Sequence, residues 1–209
     1  MRKSLAALVA VPTVLVMATV AFAQNPAPTI DVTATVSPTK AGTKKKPKSE
    51  KVNLTIINNK ESKTSASKIE IAFPATLKLS TKGLKTCSIS TLDNQGKAAC
   101  PSGSKAGSGT ASALVNPSSA APAPLNFDVT TYVAGKNLLA FYLQQQGTDS
   151  GVQQALPAKI TKSGKNALVT SVGCSSKKHK IGVKITYVPN PTPPATTTAS
   201  DSSNAKCSK

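Results

Sequence analysis

The chain has 209 residues, with 26 Lys and Arg against 8 Asp and Glu, one His, four Cys and no Trp, and carries a formal charge of +18. Arg2 is the sole arginine, so the charge rests on lysine, a hydrated point charge rather than the planar fork that reads phosphates and base edges. With so few aromatics to stack bases, this composition excludes ordinary nucleic-acid recognition and suits loose contact with anionic partners.

Arg2 and Lys3 precede an apolar run from Leu5 to Val20 that ends in Ala21-Phe22-Ala23. This is the secretory pattern, and it predicts a cleaved signal peptide at 1–23. The alternative is an uncleaved membrane anchor, but the run is near the lower length limit for a span and Pro12 interrupts it. Cleavage removes Arg2, Lys3 and no acid, leaving 186 residues and a charge of +16. No later segment is long and apolar enough to span a membrane, so a secreted or envelope-associated location is expected.

After a short lead, 24–28, strand patterns recur. Ile30, Val32, Ala34 and Val36 alternate with polar residues, as do Val52, Leu54 and Ile56, and Ile69, Ile71 and Phe73. Period two with one apolar face marks half-buried strands. Lys44, Lys45, Lys46 and Lys48 occupy a loop around Pro47, and Lys78, Lys82 and Lys85 form a second basic group. Residues 81–106 read as a loop clipped by Cys87 and Cys100, and 107–115 as a weaker strand. Leu125 to Val133 and Leu138 to Leu143 flank Ala134-Gly135-Lys136-Asn137, the signature of a hairpin. Short strands are predicted near 155–161 and 167–172, and a last clear one through Ile181, Val183, Ile185 and Tyr187. From Pro189 the composition turns to Pro, Thr, Ala and Ser, which cannot bury a core, so 191–209 reads as a tail.

The predicted fold is all-β: a single antiparallel β-sandwich over 29–190, immunoglobulin-like in architecture only, with a partly open barrel as the alternative. Four cysteines in an exported chain suggest two bridges. Three pairings are possible, and proximity in the chain favours Cys87–Cys100 and Cys174–Cys207, the latter tying back the tail. A zinc site is the rival, but there is no CxxC spacing and His179 is the sole nitrogen ligand, so no metal or cofactor is expected.

Two stretches resemble known families. Lys51–Leu79 resembles the start of immunoglobulin-like repeats on bacterial surfaces. Lys78–Cys87, Ala99–Gly109, Ser171–Cys174, Tyr187–Pro194 and Lys206-Cys207 resemble uncharacterised exported proteins of soil actinobacteria, across most of the chain after the signal. The resemblance implies an exported β protein and no particular activity. Between Ala158 and Gly173 this chain is shorter than that family, as though a strand pair were missing.

Candidate chemistry is sparse. His179, inside Lys177-Lys178-His179-Lys180, reads as a solvated loop histidine whose lysine neighbours would repel a metal. There is no G-x-S-x-G elbow, no carboxylate pair set for glycoside hydrolysis and no calcium loop. No catalytic residue is therefore assigned. The lysine runs, Lys44, Lys45, Lys46 and Lys48 with Lys177, Lys178 and Lys180, are the one feature with a mechanism: attraction to an anionic surface. The expectation is a non-enzymatic structural or adhesive protein that meets an anionic envelope polymer or a surface protein. The alternatives are a module that adds a partner strand to an open edge, and a hydrolase assembled in space around His179.

Overall fold

Extended segments with one apolar face need a second layer to cover it. In a computed structural model describing residues 27–58, 64–81, 83–115, 123–148, 153–160, 169–189 and 197–209, the chain meets that need with strands throughout. The expected signal peptide, the turn at Ser163-Gly164-Lys165, Lys82 and most of the loop at 116–124 lie outside the described residues.

The strands are β1 (Ile30–Ser37), β2 (Lys48–Ser49), β3 (Lys51–Asn58), β4 (Thr64–Ala72), β5 (Leu77–Leu79), β6 (Lys105–Val115), β7 (Ala123–Gly135), β8 (Leu138–Gln145), β9 (Gln153–Ile160), β10 (Val169–Ser171), β11 (Lys178–Pro189) and β12 (Thr197–Lys206). Among the described residues there is one α-helix, α1 (Ile89–Gln95), followed by 3-10 turns at Lys97–Ala99 and Ser102–Ser104. Seven strands form a sheet in the order β12-β11-β4-β9-β8-β7-β6, β10 lies between β2 and β5, and β1 pairs with β3. Among the described residues no sheet closes into a barrel. The three share one core, to which Val32, Ile71, Leu77, Val133, Val169 and Ile185 each contribute from a different strand. Full burial of such a side chain stabilises the fold by about 1.5–3 kcal/mol.

The all-β class holds, with three corrections. First, β4 and β9 run parallel, Ile69 opposite Ala158 through Ile71 opposite Ile160, so the large sheet is mixed rather than purely antiparallel. A parallel pair needs a long crossover, and here α1 and the β6–β7–β8 meander lie between its two members. Second, the segment read as a tail carries β12, which pairs with β11 over ten positions from Lys178–Lys206 to Tyr187–Thr197. Ala199 and Ala205 join the core. Inward Asp201 and Ser203 accept hydrogen bonds from the backbone N–H groups of Val32 (2.7 Å) and Ala34 (2.9 Å), which satisfies the edge of β1.

Third, the loop at 81–106 contains α1. Ser88 caps it, its hydroxyl accepting from the Thr91 N–H at 3.0 Å, and Gly96 ends it at φ 72°. Leu92 faces Cys87, Tyr132, Ala140 and Tyr142 in a second small core on the outer face of β7 and β8. Cys87 is bonded to Cys100 across this element, and Cys174, between β10 and β11, to Cys207, just after β12.

Candidate functional site

The segments that carry the two lysine runs, more than 120 residues apart in the chain, both bond to the C-terminal residues Cys207 and Ser208, which makes this the basic end of the fold. The loop after β1 is pinned to the C-terminus: Ala41 N–H donates to Ser208 C=O at 2.9 Å, and Ser208 N–H to Thr39 C=O at 2.8 Å. Gly42 is required there, because a Cβ would sit 2.4 Å from the Lys48 nitrogen and 2.5 Å from the Ser171 oxygen, both backbone atoms. Lys44, Lys45 and Lys46 turn out from this anchor, and Lys48 enters β2 opposite Ser171.

The second run comes from the turn into β11. Ser176 and Lys177 take positive φ, 53° and 59°, a conformation unfavourable for side-chain-bearing residues. The turn is held by the Lys178 N–H bond to Ser175 C=O (3.1 Å) and by the Cys207 N–H bond to Lys177 C=O (3.0 Å). The Cys174–Cys207 bridge fastens this turn to the residue that follows β12. Lys44, Lys45, Lys46, Lys48, Lys177, Lys178 and Lys180 are all exposed. Sequence reasoning missed Lys40, which bridges to Ser208, and Lys206, which stands opposite Lys178. Lys206 was within reach, since bonding Cys207 to Cys174 places it beside Lys177. Of the Lys78, Lys82 and Lys85 group, Lys78 lies on β5, across β10 from β2, and Lys85 packs beside Gly103 in the Cys87–Cys100 element.

Beneath this basic end lies a buried polar cluster, which corrects the reading of His179 as a solvated loop residue. The His179 and Glu50 side chains are both 0% exposed, with Nε2 and Oε2 3.9 Å apart. The Thr76 hydroxyl is 2.8 Å from Nδ1. The gap to Glu50 is too long for a hydrogen bond. The Ser171 hydroxyl donates to Gly173 C=O at 3.1 Å, and neither Glu50 oxygen nor His179 Nε2 has a hydrogen-bond partner.

Burial pushes the Glu50 carboxyl up, opposed by the nearby Ser171 hydroxyl and the Lys48 charge. Burial also pushes His179 down. Both shifts favour the uncharged forms. Each residue continues the alternation of its strand: Glu50 is in phase with Val52, Leu54 and Ile56, and His179 with Ile181, Val183 and Ile185. That phase is the signal by which the sequence marks them as inward. The His179 ring and the Glu50 carboxyl have no exposed surface, and the cluster lies buried next to Lys48 at the base of the lysine loop.

Elsewhere, a depression of about 310 Å³ is lined by Lys97, Asp128 and Gln144 to Thr148. Gln146 donates to Asp128 there at 2.9 Å, and the lining brings together no nucleophile and base. Among the described residues no group of three or more His, Cys, Asp or Glu could hold a metal ion, and no helix is long and apolar enough to cross a membrane. The chain matches no protein-family model, no curated protein and no solved structure.

Proposed function

We propose that this chain is a secreted or cell-envelope structural or adhesive protein, without enzymatic activity, that meets anionic envelope polymers through its lysine-rich end. The observation that carries the reading is the meeting of Lys44–Lys48 with Lys177, Lys178 and Lys180 around the Cys174–Cys207 bridge. Several cations held on one rigid surface attract a polyanion jointly, and the field they make extends about 8–10 Å before salt screens it. Two disulfides suit an oxidising compartment, in keeping with the export signal read in 1–23.

The test is retention on purified cell wall at low and at high salt. Retention that falls steeply with salt supports the reading. Equal retention at both, or none at either, contradicts it.

A second reading has its own observation. β6 is the last strand of the large sheet, and beyond Lys105 it is built of Gly, Ser, Ala, Thr, Leu and Val without a charge. Natural edge strands are commonly blunted by charge or covered. An edge of this kind accepts a partner strand by main-chain hydrogen bonding. Salt-insensitive capture of one defined protein, lost on Gly109→Pro, would favour it.

A further inference from the structure

The outward face of β11 carries Lys178, Lys180 and Lys184, all exposed. At a strand's rise per residue they span about 20 Å. β12 sets Lys206 opposite Lys178, Asn204 opposite Lys180, Ser202 opposite Gly182 and Ser200 opposite Lys184. On the other flank, β4 sets Ala72 opposite Gly182 and Glu70 opposite Lys184. Glu70 is engaged by Lys68 at 3.3 Å, and among the described residues Lys178, Lys180, Lys184 and Lys206 form no ion pair.

Two features of this face run against ordinary sheet chemistry. Like charges directly opposite one another destabilise an antiparallel pair, yet Lys178 faces Lys206. Between Lys180 and Lys184 the surface drops to Gly182 and Ala72, leaving a low trough between cations. Local rules broken together on one surface mark a functional site more often than an accident of packing.

We propose that an acidic polysaccharide lies along this trough, a deepening that rests on the polyanion reading above. Lys178, Lys180, Lys184 and Lys206 meet its carboxylates. Ser200, Ser202 and Asn204, in a row one strand away, exchange hydrogen bonds with its hydroxyls, since each can both donate and accept. That row is what favours a sugar polymer over a bare phosphate chain, to which lysine alone would serve as well.

The experiment measures binding of polygalacturonate to the full, oxidised chain, beside Gly182→Glu and Thr55→Glu. Both variants change the net charge by one. A Cβ at Gly182 meets only the Ala72 Cβ, at 3.6 Å, and Thr55 is exposed on β3, which belongs to a different sheet, so both substitutions are accommodated. Gly182→Glu is expected to weaken binding about tenfold or more, and Thr55→Glu less than about twofold. Lys184→Gln with Lys206→Gln, which cannot clash, is expected to flatten the log–log salt dependence by about 1.5. Ser200→Ala with Asn204→Ala should weaken polygalacturonate several-fold and leave polyphosphate unchanged.

Equal loss in the two Glu variants overturns the trough but leaves the wall-binding reading standing. So does salt-sensitive retention on cell wall without polygalacturonate binding. Equal loss for polyphosphate in the Ser200/Asn204 variant overturns the sugar assignment. Loss of salt-sensitive wall retention by the unaltered chain overturns the reading beneath it.

Discussion

The two disulfides close elements of opposite character. Cys87 and Cys100 are 13 residues apart and clip a local unit: a capped helix whose Leu92 drops onto Tyr132 and Tyr142, with an apolar interior. Cys174 and Cys207 are 33 residues apart and join strands that also reach back to the loop after β1, over a buried Glu50, His179 and Thr76. One bridge reinforces a unit that hydrophobic burial already holds. The other holds together segments from three parts of the chain, at the place where lysines crowd and repel. The helical unit can therefore be perturbed without touching the lysine-rich surface, whereas the other bridge belongs to both stability and the proposed site.

Removing the bridges one at a time gives the largest contrast. On the chain-entropy model, Cys174→Ser with Cys207→Ser costs about 4 kcal/mol and Cys87→Ser with Cys100→Ser about 3 kcal/mol. Denaturant midpoints check the stability. Wall retention is expected to fall with the first pair and to survive the second, measured under conditions where both variants stay folded. Next in size, Leu92→Ala empties a position 1% exposed and should destabilise by about 2–5 kcal/mol, again without change in polyanion affinity.

Glu50→Gln sharpens the comparison through pH. Burial raises the folded-state pKa of Glu50 above its unfolded value of 4.5, so this group's contribution declines as pH rises from there towards the folded pKa. His179, with its folded pKa below 6.5, acts in the opposite sense: stability is lost as pH falls from 6.5 through the folded pKa. Glu50→Gln should therefore raise stability more at pH 8 than at pH 4.5, as read from urea midpoints at the two values. A gain independent of pH would show that burial does not shift this carboxyl. The smallest effect is Ser88→Ala, about 1 kcal/mol from the lost helix cap, with wall retention intact.

How much of this could be read in advance differs between elements for physical reasons. β1, β3, β4 and β11 announce themselves, because Val, Ile and Leu alternate with polar residues and the two faces have different solvents. β12 does not. Thr197–Lys206 has only alanines to bury, and it is a strand because β11 pairs along its whole length and β1 leans on its Asp201 and Ser203. Tertiary context supplies there what propensity lacks.

The helix α1 is too short for a helical period to stand out, although Ser88 and Gly96 mark its ends. The parallel pairing of β4 with β9 leaves no local trace, since it depends on how the intervening strands double back. Of the site, the lysine runs were visible and their meeting was not. His179 is flanked by Lys177, Lys178 and Lys180, and those charges mask its phase. Counted back by twos from Ile181, it falls on the buried face.

The central claim is that lysines from the two ends of the chain share one surface. Amine cross-linking of the native, oxidised protein followed by mass spectrometry tests it most directly. Cross-links should join the Lys44–Lys46 loop to Lys177, Lys178 or Lys206, as the backbone bonds between that loop and the C-terminal residues require. Cross-links confined within each run would contradict it.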